Sequence, residues 1–193
     1  VTPFLFETNV GAALPIIDTL NNLVASGDKI FEIQAILSGS LNYIFNNYTL
    51  ETTFKNIVQK AQKEGYTEPD PKIDLSGIDV ARKILILARE SGFKLELSDI
   101  KNNSFLPEEV IRSSNNDELL KSIDRNENHF RSILENAIEK NKRLKYVAEL
   151  KKGKATVGLK EIDENHSFYD LKGSDNIVLF YTSRSVSYTH LTL

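Results

Sequence analysis

Apolar residues recur at helical spacing in the first part of the chain. Ile16, Ile17, Leu20, Leu23 and Val24 share one face, which predicts a helix over about 13–25. Pro15 is tolerated in its first turn, and Ser26-Gly27-Asp28 provides the stop. From Lys29 to Leu37 the period shortens to two, with Phe31, Ile33, Ala35 and Leu37 on one side and Glu32 and Gln34 on the other, so a strand is expected. Ser38-Gly39-Ser40 breaks that run before Leu41, Ile44 and Phe45 restart a short helical pattern. The strand-to-helix turn would present backbone amides, which often hold anionic groups. A further helix is predicted from a Thr53 N-cap through Phe54, Ile57, Val58 and Ala61 to a stop at Gly65.

The segment Gly65 to Gly77, G-Y-T-E-P-D-P-K-I-D-L-S-G, is rich in proline, glycine and carboxylates, and neither helix nor strand is expected to run through it. Beyond it, Asp79 to Glu90 has helical spacing and so many aliphatic positions that the helix should be largely buried. From Ser98 to Lys142 the chain turns polar, with helices expected near 117–124 and 127–141. The remainder alternates as a β-meander: Leu144, Tyr146, Ala148 and Leu150, a Lys152-Gly153 turn, Thr156 to Ile162, then Ile177 to Thr182. The pattern predicts an α+β fold in which a mixed or antiparallel sheet is covered by helices on one face.

Composition narrows the chemistry. The chain has 193 residues, 40% of them hydrophobic, enough for a sizeable core, and no apolar run approaches the ~18 needed to cross a bilayer. No membrane association is expected. The 24 Lys and Arg against 27 Asp and Glu are scattered without a basic stripe, which argues against nucleic acid as a partner. The absence of cysteine excludes a disulfide framework and a thiolate centre, and fits a cytoplasmic setting. His129, His166 and His190 lack ligand spacing. His166, near Phe168 and Tyr169 and without a nearby nucleophile, is expected to be structural or solvated. With no initiator methionine and an apolar opening from Val1 to Phe6, the chain reads as a piece of a longer protein.

Asp79 and Lys83 stand one helical turn apart, hence on one face. On an exposed helix they would form an ordinary surface ion pair. Between aliphatic neighbours the pair is expected to be partly buried, and a lysine held beside a carboxylate can exchange a proton with a substrate hydroxyl or carbonyl. The preceding loop offers Glu68, Asp70 and Asp74. Asp74 alone could be a helix-capping residue, whereas the three together would suit either a substrate ammonium group or a magnesium ion. No dinucleotide fingerprint is present, since Gly11 lacks partner glycines and Ser38-Gly39-Ser40 is too short to cradle a pyrophosphate.

Three strings, F-E-T-N-V-G-A-A-L-P-I-I (Phe6 to Ile17), A-I-L-S-G-S-L-N-Y-I-F (Ala35 to Phe45) and G-Y-T-E-P-D-P-K-I-D-L-S-G-I-D-V-A-R-K (Gly65 to Lys83), resemble homoserine dehydrogenase in order and spacing. The likeness continues through L-I-L-A-R-E and the later strands to Thr182, and is greatest to the form fused behind an aspartokinase. It implies NAD(P)(H)-dependent interconversion of L-homoserine and L-aspartate 4-semialdehyde, on the way to threonine, methionine and isoleucine. The part matched is the substrate-binding and dimerising half, so a homodimer or higher homo-oligomer is implied. By motif position Lys83 would exchange a proton at the substrate oxygen and Asp79 would orient it. Glu68 and Asp74 would hold the amino end of the substrate, which favours the ammonium over magnesium, with Ser40, Gly39 and Tyr66 lining the pocket. Glu7 and the carbonyls of Val10, Ala12 and Leu14 match the monovalent-cation loop, described with sodium or potassium.

Departures from the family pattern are small-for-small: Ala35 and Ala13 stand where glycine is usual, and Ser40 where threonine is. The family's Rossmann domain and a second catalytic lysine precede the segment matching Val1. The chain alone is therefore expected to be inactive, keeping only dimerisation or amino-acid binding. The domain is expected over 1–184, with 185–193 a non-matching tail of foreign or misassembled origin, excluded together with His190.

Overall fold

The computed structural model describes residues 5–184 and the backbone of 189–192. The opening Val1 to Phe4, residues 185–188 and the His190 side chain, all subjects of expectations above, lie outside the described residues. The first helix, α1, spans Ile16–Ala25, and strand β1 spans Ile30–Ile36. Four helices follow: α2 (Gly39–Asn47), α3 (Phe54–Lys63), α4 (Pro71–Leu75) and α5 (Ile78–Glu90). A 3-10 turn at Leu97–Asp99 leads into the short strand β2 (Lys101–Asn103) and the helices α6 (Glu108–Ile111), α7 (Asn116–Arg125) and α8 (Glu127–Glu139). The chain closes with β3 (Arg143–Lys151), β4 (Lys154–Ile162), β5 (Ile177–Thr182) and β6 (Thr189–Thr192).

The strands form one six-stranded sheet in the order β2-β4-β3-β1-β5-β6. Every pairing is antiparallel except β2 with β4, so the sheet is mixed. The expected meander holds only for the β3–β4 hairpin, turned at Lys152-Gly153 with positive φ at both residues. β1 intervenes between β3 and β5, because its inner face is apolar along its length and is stabilised most by two covered neighbours. Pattern alone missed β2: Lys-Asn-Asn carries no apolar alternation and is a strand through pairing with Thr156 to Gly158.

Two local expectations need correction. Phe31 does not share the face of Ile33; a register shift between Ile30 and Glu32 bulges the strand, sends Ile30 into the core and leaves Phe31 57% exposed. The proline-rich segment is not helix-free. Asp70 caps α4 by accepting the Lys72 N–H at 3.0 Å, and Pro71 occupies the first turn, where its missing N–H costs nothing.

The main core lies between one sheet face and the helices. Phe54 and Phe130 stack there at 4.3 Å, with Phe105 edge-on to both. Glu127 ties this layer together: one carboxylate oxygen accepts the Phe54 N–H at 2.9 Å and the other the Tyr48 hydroxyl at 3.0 Å. A smaller cluster on the opposite face, Ile36, Val147, Ile162, Phe168, Leu171, Ile177 and Leu179, is covered by the 163–176 segment. The rest of that face is polar, with a Lys151–Glu32 ion pair at 2.6 Å and a second between Lys160 and Glu149.

Candidate active site

The junction of β1 with α2 gathers most of the predicted residues. Ser38 turns the chain by capping α2, its Oγ accepting the Leu41 N–H at 3.2 Å. Lys83 reaches this junction from α5: its Nζ donates to the Leu37 carbonyl at 2.9 Å and lies 2.8 Å from Asp79 Oδ2. The Lys83 side chain is 23% exposed and that of Asp79 53%. The expected burial therefore holds for the lysine and not for its partner. Nor is α5 buried all round: Val80, Ala81, Ile84 and Leu85 face the core, while Asp79, Arg82 and Arg89 face outwards. Such an exposed carboxylate adds little stability. What the geometry supplies is a fixed ammonium, held by one carbonyl and one carboxylate at the rim of the fold.

α5 can start where it does because of Gly77, whose φ of 68° is left-handed and whose Cα faces the Tyr146 ring. A Cβ there would lie 1.8 Å from the Tyr146 hydroxyl oxygen. The glycine in L-S-G-I-D is thus set by both backbone and packing.

Asp74 joins the loop to α2. Its Oδ1 accepts the Ser40 hydroxyl at 2.7 Å and its Oδ2 the Glu68 N–H at 2.9 Å. Glu68 enters this array through its backbone, and its side chain is exposed. Asp70 is occupied as the α4 cap, so the three carboxylates have separate roles and do not converge. Among the described residues no group of three or more His, Cys, Asp or Glu is placed to hold a metal ion. Tyr66 stacks on Tyr43 at 3.9 Å. The Tyr43 hydroxyl donates to Glu64, and this hydrogen bond, followed by burial, pushes its pKa up to about 12. At Gly39 a Cβ would stand 2.9 Å from the Ser174 carbonyl oxygen, so the first turn of α2 touches the 171–175 segment directly.

The Glu7–Leu14 loop lies at the start of α1. Pro15 gives α1 no side-chain cap, and Glu7 acts instead: its Oε1 accepts the Ile17 N–H at 2.7 Å and its Oε2 the Asp18 N–H at 2.8 Å. Ala12 has a positive φ of 54°, and the Leu14 carbonyl accepts the Ile16 N–H at 2.8 Å.

Sequence reasoning missed Lys145. It is fully buried on β3, and its ammonium donates to Asn46 Oδ1 at 2.6 Å, to Asn42 Oδ1 at 3.2 Å and to the Leu171 carbonyl. Burial, aided by Arg143 and opposed by Asp170, lowers its pKa to about 8. The available signal was the pair Asn42 and Asn46, four apart on a helix whose Leu41, Ile44 and Phe45 mark a buried face. His166 is structural, as expected: its Nδ1 accepts the Phe168 N–H at 3.1 Å, its Nε2 lies 2.9 Å from Gln34 Oε1, and burial lowers its pKa.

A cleft of about 520 Å³ between Phe45–Leu50, the α8 residues Leu134 and Ile138, and Lys172–Gly173 is lined by none of the predicted residues. Their cluster lies on a more open surface, with Glu68 and Asp79 exposed. Comparison with known proteins gives these residues a context. The family model described as homoserine dehydrogenase matches residues 15–191. A chloroplastic bifunctional aspartokinase/homoserine dehydrogenase from Zea mays is 46% identical over 95% of this chain and 20% of its own length. A homoserine dehydrogenase from Schizosaccharomyces pombe is 40% identical over 93% of this chain and 50% of its own. The chain thus spans between a fifth and a half of these relatives. A solved structure of a protein of unknown function from Candida auris superposes with a TM-score of 0.91 at 38% identity, over 97% of this chain and 54% of that one. A putative homoserine dehydrogenase from Archaeoglobus fulgidus, 23% identical, shares the fold with a TM-score of 0.75 over 97% of this chain and 52% of its own.

Proposed function

Since this chain belongs to the homoserine dehydrogenase family, we propose that it forms the substrate-binding and dimerising half of an enzyme interconverting L-homoserine and L-aspartate 4-semialdehyde with NAD(P)(H). The observation that carries this reading is the Lys83 ammonium, held by Leu37 and Asp79 at the junction that also presents Ser40, Asp74 and Glu68. Oxidation of homoserine removes a hydride from the hydroxyl-bearing carbon and the proton from its oxygen. A nicotinamide cofactor, bound by another part of the protein, would supply the hydride acceptor. Lys83 as the amine takes the proton, and in the reverse direction its ammonium returns one to the carbonyl oxygen. Asp79 keeps the lysine aimed, and its exposure lets that proton pass on to water. Glu68 and Asp74 suit the substrate's ammonium group, Asp74 being braced by Ser40. The openness of the cluster accords with a nucleotide-binding part of the protein closing over it.

The domain, on this reading, runs over 1–184, and its polar sheet face, with Glu32, Gln34, Lys151 and Tyr181, supplies the homodimer contact. The Glu7–Leu14 loop is proposed to take sodium or potassium. The carbonyls of Val10, Ala12 and Leu14 are neutral hard donors suited to a monovalent ion, and the Glu7 carboxylate adds charge while capping α1. Melting in sodium or potassium chloride against tetramethylammonium chloride tests that ion; identical curves would remove it. The central test is turnover. Full-length protein should oxidise L-homoserine with NAD(P)+ and the 193-residue chain alone should not, because the cofactor must be held against the substrate. A full-length protein without turnover would overturn the reading.

A further inference from the structure

Lys145 has no part in that mechanism, yet it is fully buried, and none of its hydrogen-bond partners is a carboxylate. It lies just past the last pairing of β3 with β1, Ala148 with Ala35, where the sheet lacks its central strand and α2 takes over the space. An ammonium has three donors, and here each has an acceptor: Asn42 Oδ1, Asn46 Oδ1 and the Leu171 carbonyl. Drawing both amide oxygens inwards turns both amide NH2 groups outwards, onto the 171–175 segment. Asn42 Nδ2 donates to the Asp175 carbonyl at 3.0 Å, and Asn46 Nδ2 to the Gly173 carbonyl at 3.0 Å and the Leu171 carbonyl at 3.2 Å. The same segment presses the Ser174 carbonyl against Gly39, next to Ser40, whose hydroxyl holds Asp74.

We propose that Lys145 is a positioning residue for the substrate-binding arm: by orienting Asn42 and Asn46 it locks α2 to the 171–175 segment and sets Ser40 against Asp74. The inference rests on the homoserine dehydrogenase reading above and concerns how the ammonium-binding side of that site is held. An apolar side chain of similar length would fill the space but leave both amides free to rotate, each then able to turn an oxygen towards the segment's carbonyls. The effect would reach the first turn of α2 before it reached Lys83, which is anchored one residue before the Ser38 cap.

The test is Lys145→Met in the full-length enzyme, alone and combined with Ser40→Ala. The Michaelis constant for homoserine should rise several-fold with the turnover number within about twofold of wild type. In the Ser40→Ala background the same change should add little, since the two act through one arm. Amide hydrogen exchange should accelerate at Leu41 and Asn42 and in 173–175, a readout independent of turnover. If the variant melts lower but keeps the wild-type Michaelis constant and wild-type exchange at these amides, the residue is only a packing element and the proposal falls. A wild type that does not turn over homoserine defeats the functional reading itself; unchanged exchange in Lys145→Met would then defeat the lock as well.

Discussion

Two lysines flank the β1–α2 junction and are held in opposite ways. Lys83 is about a quarter exposed and has a carboxylate partner that is half in water. Lys145 has no exposure, and only amide and carbonyl oxygens accept its hydrogen bonds. A charge beside water, with a movable proton path, suits chemistry. A charge sealed among neutral acceptors lies out of a substrate's reach and serves architecture. The difference teaches that burial alone is a poor guide to a reactive lysine; the nature of the acceptors and the exposure of the partner discriminate better.

The contrast breaks most directly on Lys83→Ala. Loss of the group that moves the substrate proton should lower the turnover number ~10²–10⁴-fold with a much smaller change in the Michaelis constant. If the variant is active but less stable, Lys83 is an ion-pair partner and the two lysines are the same kind. Next in size is Gly77→Ala, which adds a Cβ in left-handed backbone and against the Tyr146 hydroxyl. It should destabilise by ~3 kcal/mol, read in denaturant unfolding, and displace the helix that carries Asp79 and Lys83.

A smaller effect sharpens the other side of the comparison. Lys145 is lowered to about 8 in the folded state by burial; Arg143 adds to this and Asp170 opposes it, and Lys172 and Asp175 lie in the segment packed against it. An unfolded lysine titrates at ~10.4, so between these values the unfolded chain binds more protons. Stability attributable to Lys145 should therefore rise with pH from about 8 to 10.5. The penalty of burying its charge is full below that window and relieved above it. The stability of wild type relative to Lys145→Met, followed from pH 7 to 10.5, should increase; a flat difference would mean that Lys145 is not the titrating group. Last, Glu68→Ala should act mainly on the Michaelis constant for homoserine, by about tenfold, the size of one hydrogen bond to a charged group. A change confined to the turnover number would move Glu68 from binding to chemistry.

Much of this was legible in the amino-acid order. The helices from Ile16, Thr53, Asp79 and Asn116, and the strands at 143–151, 154–162 and 177–182, follow from period and capping, because each buries one face. What stayed hidden depends on residues distant in sequence. β2 is a strand through pairing alone, Phe31 leaves the core through a bulge, and α4 arises from an Asp70 cap in a stretch that otherwise reads as breakers. Asp79 and Lys83 could be paired from their spacing. That Asp74 holds Ser40 and the Glu68 backbone could not be, and Lys145 was masked by its place in a strand whose other residues alternate as usual.

The order of strands also has a consequence in time. Ile33, in the middle of the sheet, is bonded on one side opposite Leu150 and on the other opposite Phe180. As the polypeptide emerges during synthesis, β1 must wait through the seven helices α2 to α8 before either neighbour exists, and through the 163–176 segment before the second. Closing such distant contacts is slow, and an unpaired apolar strand is prone to associate with other chains. Nascent chains halted between β4 and β5 should therefore engage holding chaperones, and release should follow extension past Thr182, when the strand laid down first gains its last partner.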